Sequence, residues 1–432
     1  MNIGIIIGRI GGVDGVALET EKWIEVLRSM GHRIYILSGQ FQERQMDPEI
    51  ETLVPEMSFF SPESFWSQKK AFFYPETNPQ ELIEHLNLYS KVIYKKILDW
   101  ISEKKIALII SENASALPSH LEMGLAVNKA VHKSGIPTIT HDHDFAWERG
   151  DRYRSPHREI NDFVETVFPL RAPNSVHAVI NTNASRTLME RYNRNSLTVP
   201  NVMDFSKPFG VPNQKNEKLA EHLGFNNDDL FLYQITRIVR RKGIETAIEL
   251  LYQLNDKKIK LIITGNYADD AGSAYYNELV NQIHELRLGE QVRFAYHLFH
   301  NKGLTNCNGE VRFSLSDAYA RANACTYFST YEGFGNAFVE SVLARRPIFV
   351  NNYEPVFSPD IGSKGFRTVM IEHGNLTEES VRSMAEILYN PKLSAEIAEF
   401  NFELGKKFFS YETLKEKLEE LIELALKAAG AR

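Results

Sequence analysis

The chain has 432 residues, 43% of them apolar and 24% charged, with a net charge of −7. That length exceeds one ordinary hydrophobic core and predicts two or three globular domains. The acidic balance without a long basic run argues against nucleic acid or an anionic membrane as main partner. Two cysteines, Cys307 and Cys325, give neither a metal spacing nor a disulfide framework, and they fit a reducing cytoplasm. No run approaches the roughly 18 apolar residues of a membrane span.

MNIGIIIGRI reads as a buried first strand, too short for a signal peptide. Glycines follow it, then a helical face of Val16, Trp23, Ile24, Leu27 and Met30. RIYILSG (33–39), ALIIS (107–111), IPTITHDHD (136–144) and VHAVINT (176–182) read as further strands with helical stretches between them. Residues 40–80 are long for a connection and read as a surface excursion with one or two short helices. A Pro- and Asn-rich stretch near 200 marks a boundary. Beyond it the alternation restarts with LFLYQITRI (230–238), KLIITGN (260–266), QVRFAYH (291–297), ACTYFST (324–330), RPIFVNN (346–352) and RTVMIE (367–372). The pattern predicts an α/β fold of two Rossmann-like doubly wound parallel sheets, with ligands between the carboxyl ends of their strands. A last helix from Ser410 carries Leu414, Leu418, Leu421 and Ile422 on one face.

Three stretches carry chemistry. YEGFGNAFVE (331–340) places two glutamates around a glycine turn at a helix start, where backbone N–H groups favour anionic or hydroxyl-rich ligands. Two carboxylates that far apart suit two ends of an elongated ligand such as a nucleotide sugar. TRIVRRKG (236–243) offers Arg237 and Lys242 as grips for a diphosphate, with Arg240 and Arg241 read as solvated. THDHDFAWER (140–149) puts His141 and His143 on one side of a strand, with no third metal ligand to name, so no metal site is read. GRIGGVDGVALE (8–19) lacks the glycine spacing of a dinucleotide fingerprint, against a dehydrogenase.

Together, YEGFGNAFVE, TRIVRRKG, VPNVMD and SLSDAYARANACTYFSTYEGFG resemble glycosyltransferase family 4, retaining nucleotide-sugar transferases of the GT-B fold. Glu332 and Glu340 fit the family's E-x7-E signature, and Thr236 departs from the family's usual glycine. The resemblance implies roles. Glu340 holds the ribose; Glu332 with Gly333, Phe334, Gly335 and Asn336 holds the donor sugar; Arg237 and Lys242 neutralise the diphosphate. Gly12 in the first loop faces the donor, and Asp14 and Gly15 face the acceptor. His143, counted from Pro137, reaches the donor sugar, while Asp144, Trp147, Arg149 and Arg152 line the acceptor side. The implied division is an acceptor domain over 1–203 with a helix over 410–429 crossing back to it, and a donor domain over 204–409. The base is expected near Tyr296–Gly303.

GGVDGVALETEKW and HDHDFAWER resemble the branch of family 4 that includes mannosylglucosylglycerate synthases, which move mannose from GDP-mannose to glucosylglycerate. A nucleotide sugar (GDP-mannose, or UDP- or ADP-glucose) is then the co-substrate, a small sugar or sugar acid the acceptor, and a divalent metal not essential. A phosphorylase of the same architecture and a non-catalytic nucleotide-sugar sensor remain as alternatives.

Overall fold

The computed structural model describes residues 1–12, 14–43, 45–267, 274–299 and 312–430. Two compact units divide it, Met1–Val202 with the segment from Tyr411 onward, and Met203–Ser410.

The first unit is built on a seven-stranded parallel sheet: β1 (Asn2–Ile7), β2 (Arg33–Ser38), β3 (Glu51–Leu53), β4 (Leu108–Glu112), β5 (Thr138–Asp142), β6 (Ser175–Val179) and β7 (Ser196–Thr198). The spatial order is β3-β2-β1-β4-β5-β6-β7. Its helices include α1 (Gly15–Ser29), α2 (Pro62–Phe72), α3 (Pro79–Lys104) and α4 (Leu121–Ser134). A parallel sheet is covered on both faces, so a central strand such as β1 is apolar nearly throughout rather than alternating with polar residues. In β1, Ile3, Ile5 and Ile7 pack with Trp23, Ile24 and Leu27 of α1. Ile6 points the other way, into a cluster with Ile93 and Ile97 of α3 and Met123 and Val127 of α4. The C-terminal helix, Tyr411–Gly430, joins the α1 side through Leu414, Leu418 and Leu421, all fully buried.

The second unit repeats the plan with six parallel strands: β8 (Leu230–Gln234), β9 (Ile259–Ile263), β10 (Val292–Phe294), β11 (Ala324–Tyr327), β12 (Ile348–Asn351) and β13 (Val369–Ile371). They lie in the order β10-β9-β8-β11-β12-β13. Two of its helices matter below, α5 (Ile244–Leu254) and α6 (Asn336–Leu343). Leu232, Ile248, Leu251, Leu261 and Ile263 belong to its main core.

In both sheets the chain order reverses beside the first strand, between β1 and β4 and between β8 and β11. Loops at the carboxyl ends of such a strand pair diverge and leave a crevice, the usual ligand position in open α/β sheets. Residues 40–80 hold more than short helices. They add α2 and the edge strand β3, whose Glu51 is buried and accepts a hydrogen bond from the Asp47 amide at 2.8 Å.

Candidate active site

In the second unit, the crevice between β8 and β11 gathers the basic turn and the glycine turn. Arg240–Lys242 form one turn of 3-10 helix, and such a turn advances each residue by about 120°, so neighbours point in different directions. Lys242 points inward, and its ammonium meets one oxygen of Glu332. Arg241 donates to the other oxygen at 2.9 Å and to the Tyr331 carbonyl at 2.9 Å. The reading of Arg241 as a solvated residue is thereby corrected: it is one of two cations on Glu332. Arg240 alone faces solvent, paired with Glu278. Arg237 is exposed, and its charge reaches Lys242.

These charges shape each other. Burial lowers the pKa of Lys242; Glu332 opposes that, while Arg241 and Arg237 add to it. Burial pushes Glu332 upward, yet Lys242 and Arg241 hold it below the ordinary carboxylate range. The result is a cationic corner in which buried Lys242 and half-exposed Arg241 share one carboxylate, with Arg237 at the surface nearby.

Buried side chains fix the turn. The Gln234 amide donates to the Lys242 carbonyl at 2.9 Å and accepts from the Thr326 hydroxyl at 2.6 Å. The Thr330 amide donates to the Arg241 carbonyl at 2.8 Å, stitching the two loops together. The Thr236 carbonyl packs against Gly265, where a Cβ would lie 1.9 Å from its oxygen, so close packing here demands glycine at 265.

The glycine turn runs into α6, with Asn336 as its first residue. Gly335 has φ +138°, and a Cβ there would stand 2.2 Å from the Tyr353 hydroxyl. That hydroxyl donates to the Phe334 carbonyl at 2.9 Å and holds the turn open-faced. Gly333 lies half-buried between Glu332 and Phe334. Along α6, Glu340 accepts from the buried Tyr319 hydroxyl at 2.9 Å. Tyr319 carries no motif of its own in the sequence. The expected base segment, Tyr296–Gly303, lies from residue 300 onward outside the described residues.

In the first unit, the crevice between β1 and β4 opens into a hollow of about 220 Å³. Gly8, Arg9 and Asp14 come from the β1 loop, Glu112, Asn113 and Ser119 from the β4 loop, and Asp144, Arg149, Arg152 and Tyr153 from the β5 loop, with Phe59 beside them. Asp14 is the N-cap of α1, taking the amides of Val16 and Ala17 at 3.1 and 3.2 Å, and it also pairs with Arg9 at 3.0 Å. Arg149 pairs with Asp144. Arg152 lies over the Tyr153 ring, 5.5 Å from its centroid, and has no carboxylate partner among the described residues. Arg9 was not singled out from the sequence; its only signal there is its place directly after the first strand and Gly8.

Three expected residues stand differently. Trp147 lines a separate hollow with Arg154 and Tyr192, and its ring stacks on Phe145 at 4.4 Å beneath the Arg191 guanidinium. It therefore stands apart from the hollow that Asp144, Arg149 and Arg152 line. Gly15 is exposed, with open space where its Cβ would be. Gly12 adopts φ +69° and packs near the Gln42 side chain.

His143 directly follows β5 and lies on the same side as His141, their ring centroids 4.2 Å apart. Strand alternation sends Thr140 and Asp142 to the other face, where Asp142 meets His177 at 2.8 Å. The third group that the sequence could not name is Glu112: Glu112, His141 and His143 bring potential ligand atoms within 4.8 Å of one another. The Glu112 carboxylate accepts from His141 Nδ1 at 2.8 Å and stands 3.8 Å from His143 Nε2.

Comparison with known proteins identifies the family and the fold. The sequence profile described as glycosyl transferases group 1 matches residues 215–403. A mannosylglucosylglycerate synthase of Thermotoga maritima is 30% identical, over 97% of this chain and 99% of its own. One from Petrotoga mobilis is 28% identical, over 95% and 98%. Among solved structures, the sucrose-phosphate synthase of Thermosynechococcus elongatus superposes with a TM-score of 0.66 at 13% identity, covering 99% of both chains. Anabaena HepE, solved with UDP and glucose, gives 0.65 at 15% identity, over 98% of this chain and 99% of its own. No helix among the described residues is long and apolar enough to cross a membrane. The chain belongs to the group 1 glycosyl transferases, family 4 enzymes of the GT-B fold, and is a hexosyltransferase.

Proposed function

We propose that the protein is a retaining mannosyltransferase that moves mannose from GDP-mannose to the sugar acid glucosylglycerate. The observation that carries the acceptor half is the hollow at the β1/β4 crevice, where Arg9, Arg149 and Arg152 converge and Arg152 lacks a carboxylate partner among the described residues. Guanidinium groups recognise carboxylates through paired N–H donors. A glycerate carboxylate supplies the missing partner and can exchange with Asp14 or Asp144 for the other two arginines. The names of the two relatives support the same acceptor and sugar. In this reading the first unit holds the acceptor and the second the donor.

The donor half then works by charge. Arg237, Arg241 and Lys242 hold the diphosphate, the amides at the start of α6 face the sugar, and Glu340, braced by Tyr319, takes the ribose hydroxyls. The bond from the anomeric carbon to the phosphate oxygen breaks, and the acceptor oxygen bonds to that carbon on the same face. The acceptor proton passes to the departing phosphate oxygen, so this step needs no protein base and no metal. Positioning and stabilisation of phosphate charge supply the rate.

Thermal shifts against GDP, UDP and ADP, followed by transfer assays, test the proposal. A nucleotide at 100 times its Kd stabilises by about 2.7 kcal/mol. Stabilisation by GDP, with transfer to glucosylglycerate but not to the neutral glucosylglycerol, is the expected result. Equal use of both acceptors refutes the carboxylate reading. Preference for UDP or ADP refutes the donor. No response to any nucleotide, with phosphate-dependent turnover, would favour a phosphorylase.

A further inference from the structure

His143 is framed by a dipeptide that no motif announces. We infer that Glu112 and Asn113, at the end of β4, are the positioning residues for His143: Glu112 anchors its imidazole and Asn113 its backbone. The inference rests on the transferase reading above for its consequence, but not for its geometry.

The register of the sheet creates the contact. β4 and β5 run parallel with Glu112 opposite His141, so the two strand ends finish side by side. Glu112 is enclosed, and its carboxylate accepts from His141 Nδ1 at 2.8 Å. His141 is in turn pinned by stacking on Trp23, with ring centroids 3.8 Å apart. The same carboxylate oxygen stands 3.8 Å from His143 Nε2, ion-pair range rather than a hydrogen bond. One step along, Asn113 takes the His143 amide on its side-chain oxygen at 3.1 Å and donates to Asp144 at 2.9 Å. Asn113 does this from a left-handed conformation, φ +50°, which asparagine tolerates better than most residues. Glu112 and Asn113 thus bracket the His143–Asp144 pair from the neighbouring strand.

Charge supports the geometry. Burial works against the Glu112 carboxylate, but His141 and His143 pull it down to about 2, so it stays ionised. Burial lowers His143; Glu112 raises it by contact and charge, Glu19 of α1 and Asp144 add to this, and the net direction is upward. His141, the remaining titratable neighbour, gives its Nδ1 to Glu112. His143 is thereby held with a fixed anion 3.8 Å behind its Nε2. A histidine free to turn or lose its proton would meet an oxygen of the sugar less often.

Three measurements decide the inference. Imidazole nitrogen NMR on the wild-type protein without substrates is expected to show His143 titrating above an ordinary histidine, and a His143 titrating at or below the ordinary value would overturn it. In Glu112→Gln, judged folded by circular dichroism, the His143 titration should move to lower pH. The basic limb of kcat should follow, with kcat down at least tenfold and KM for the donor within about twofold. Glu112→Asp, which keeps the charge, should recover part of the loss. An unchanged titration in Glu112→Gln would overturn the inference, as would a stoichiometric metal ion bound by the wild type and lost from that variant, since the carboxylate would then be a ligand. Should the wild type fail to transfer mannose to glucosylglycerate, the proposed function falls, and the NMR comparison alone decides the role of Glu112.

Discussion

Replacing the basic residues of the 240–242 turn one at a time separates charge placement from charge number. Lys242 has 10% of its side chain exposed and its ammonium on Glu332. In the proposed mechanism the diphosphate gains charge in the transition state where this cation stands. Two unit charges 4 Å apart at an effective dielectric of about 20 interact by roughly 4 kcal/mol. Loss of a placed electrostatic group typically costs about 2.7–4 kcal/mol, or 10²–10³ in rate. Lys242→Ala should therefore lower kcat for mannosyl transfer by about 10²–10³. Arg241, 38% exposed and sharing the same carboxylate, should cost roughly tenfold when changed to alanine, because solvent screens it more. Arg240→Ala should leave kcat unchanged, since that side chain lies on the surface against Glu278. Stability must be followed alongside. Removing one partner of a buried pair costs about 3–5 kcal/mol when nothing replaces it, and here Arg241 remains on Glu332, so the loss should fall at or below that range. The assay is transfer from GDP-mannose, with denaturant melts on each variant. A Lys242→Ala enzyme within threefold of wild type, or an Arg240→Ala enzyme as impaired as Lys242→Ala, would refute the assignment of the inward cation.

Tyr319→Phe removes the hydroxyl that braces Glu340, a bond to a charged acceptor worth about 1.5 kcal/mol or more; nucleotide Kd by calorimetry should rise roughly tenfold with kcat nearly constant, and an unchanged Kd would detach Glu340 from the nucleotide. Gly335→Ala forces a Cβ against the Tyr353 hydroxyl at a positive φ and should lose about 2–3 kcal/mol in urea melts. Adding Tyr353→Phe should recover part of that loss, so strict additivity of the two would contradict the clash. Glu148 is raised to about 7 by burial, with Asp144 adding to the rise and the Phe145 amide and Arg149 opposing it. Its folded pKa exceeds the ordinary glutamate value of 4.5, so the folded protein binds the extra proton between those two values, and stability falls as pH rises through them. Glu148→Gln should show a smaller drop in melting temperature between pH 5 and pH 8 than the wild type; parallel curves would mean Glu148 is not the group that titrates.

The strands were legible where they are apolar on both faces. NIGIII and LFLYQ have few other places to go. β3 and β7 were not legible, because ETL and SLT are three residues long at the sheet's two edges and carry little apolar signal. Arg240 and Arg241 are equivalent in sequence, and only the 120° step of a 3-10 turn turns one outward and the other onto Glu332. Trp147 misled for a related reason. Its place beside Asp144 and Arg149 in the sequence does not carry it into their hollow, because its ring packs on Phe145 and under Arg191.

The proposed donor and acceptor halves differ in how far apart their residues lie along the chain. Nearly all the donor groups come from two short stretches, 236–243 and 331–340, so each motif brings its own neighbours and can be read as a unit. The hollow in the first unit draws on the ends of β1, β4 and β5 together with Phe59, segments separated by tens of residues. Which of these meet is decided by strand register: Glu112 stands opposite His141 because Ile109 stands opposite Thr138. A shift of one residue in that pairing would send Glu112 to the face of Asp142 and His177, and His143 would lose its anion. The buried apolar residues of β4 and β5 fix that register, so core packing between these strands is itself a requirement for the charge pattern at their ends.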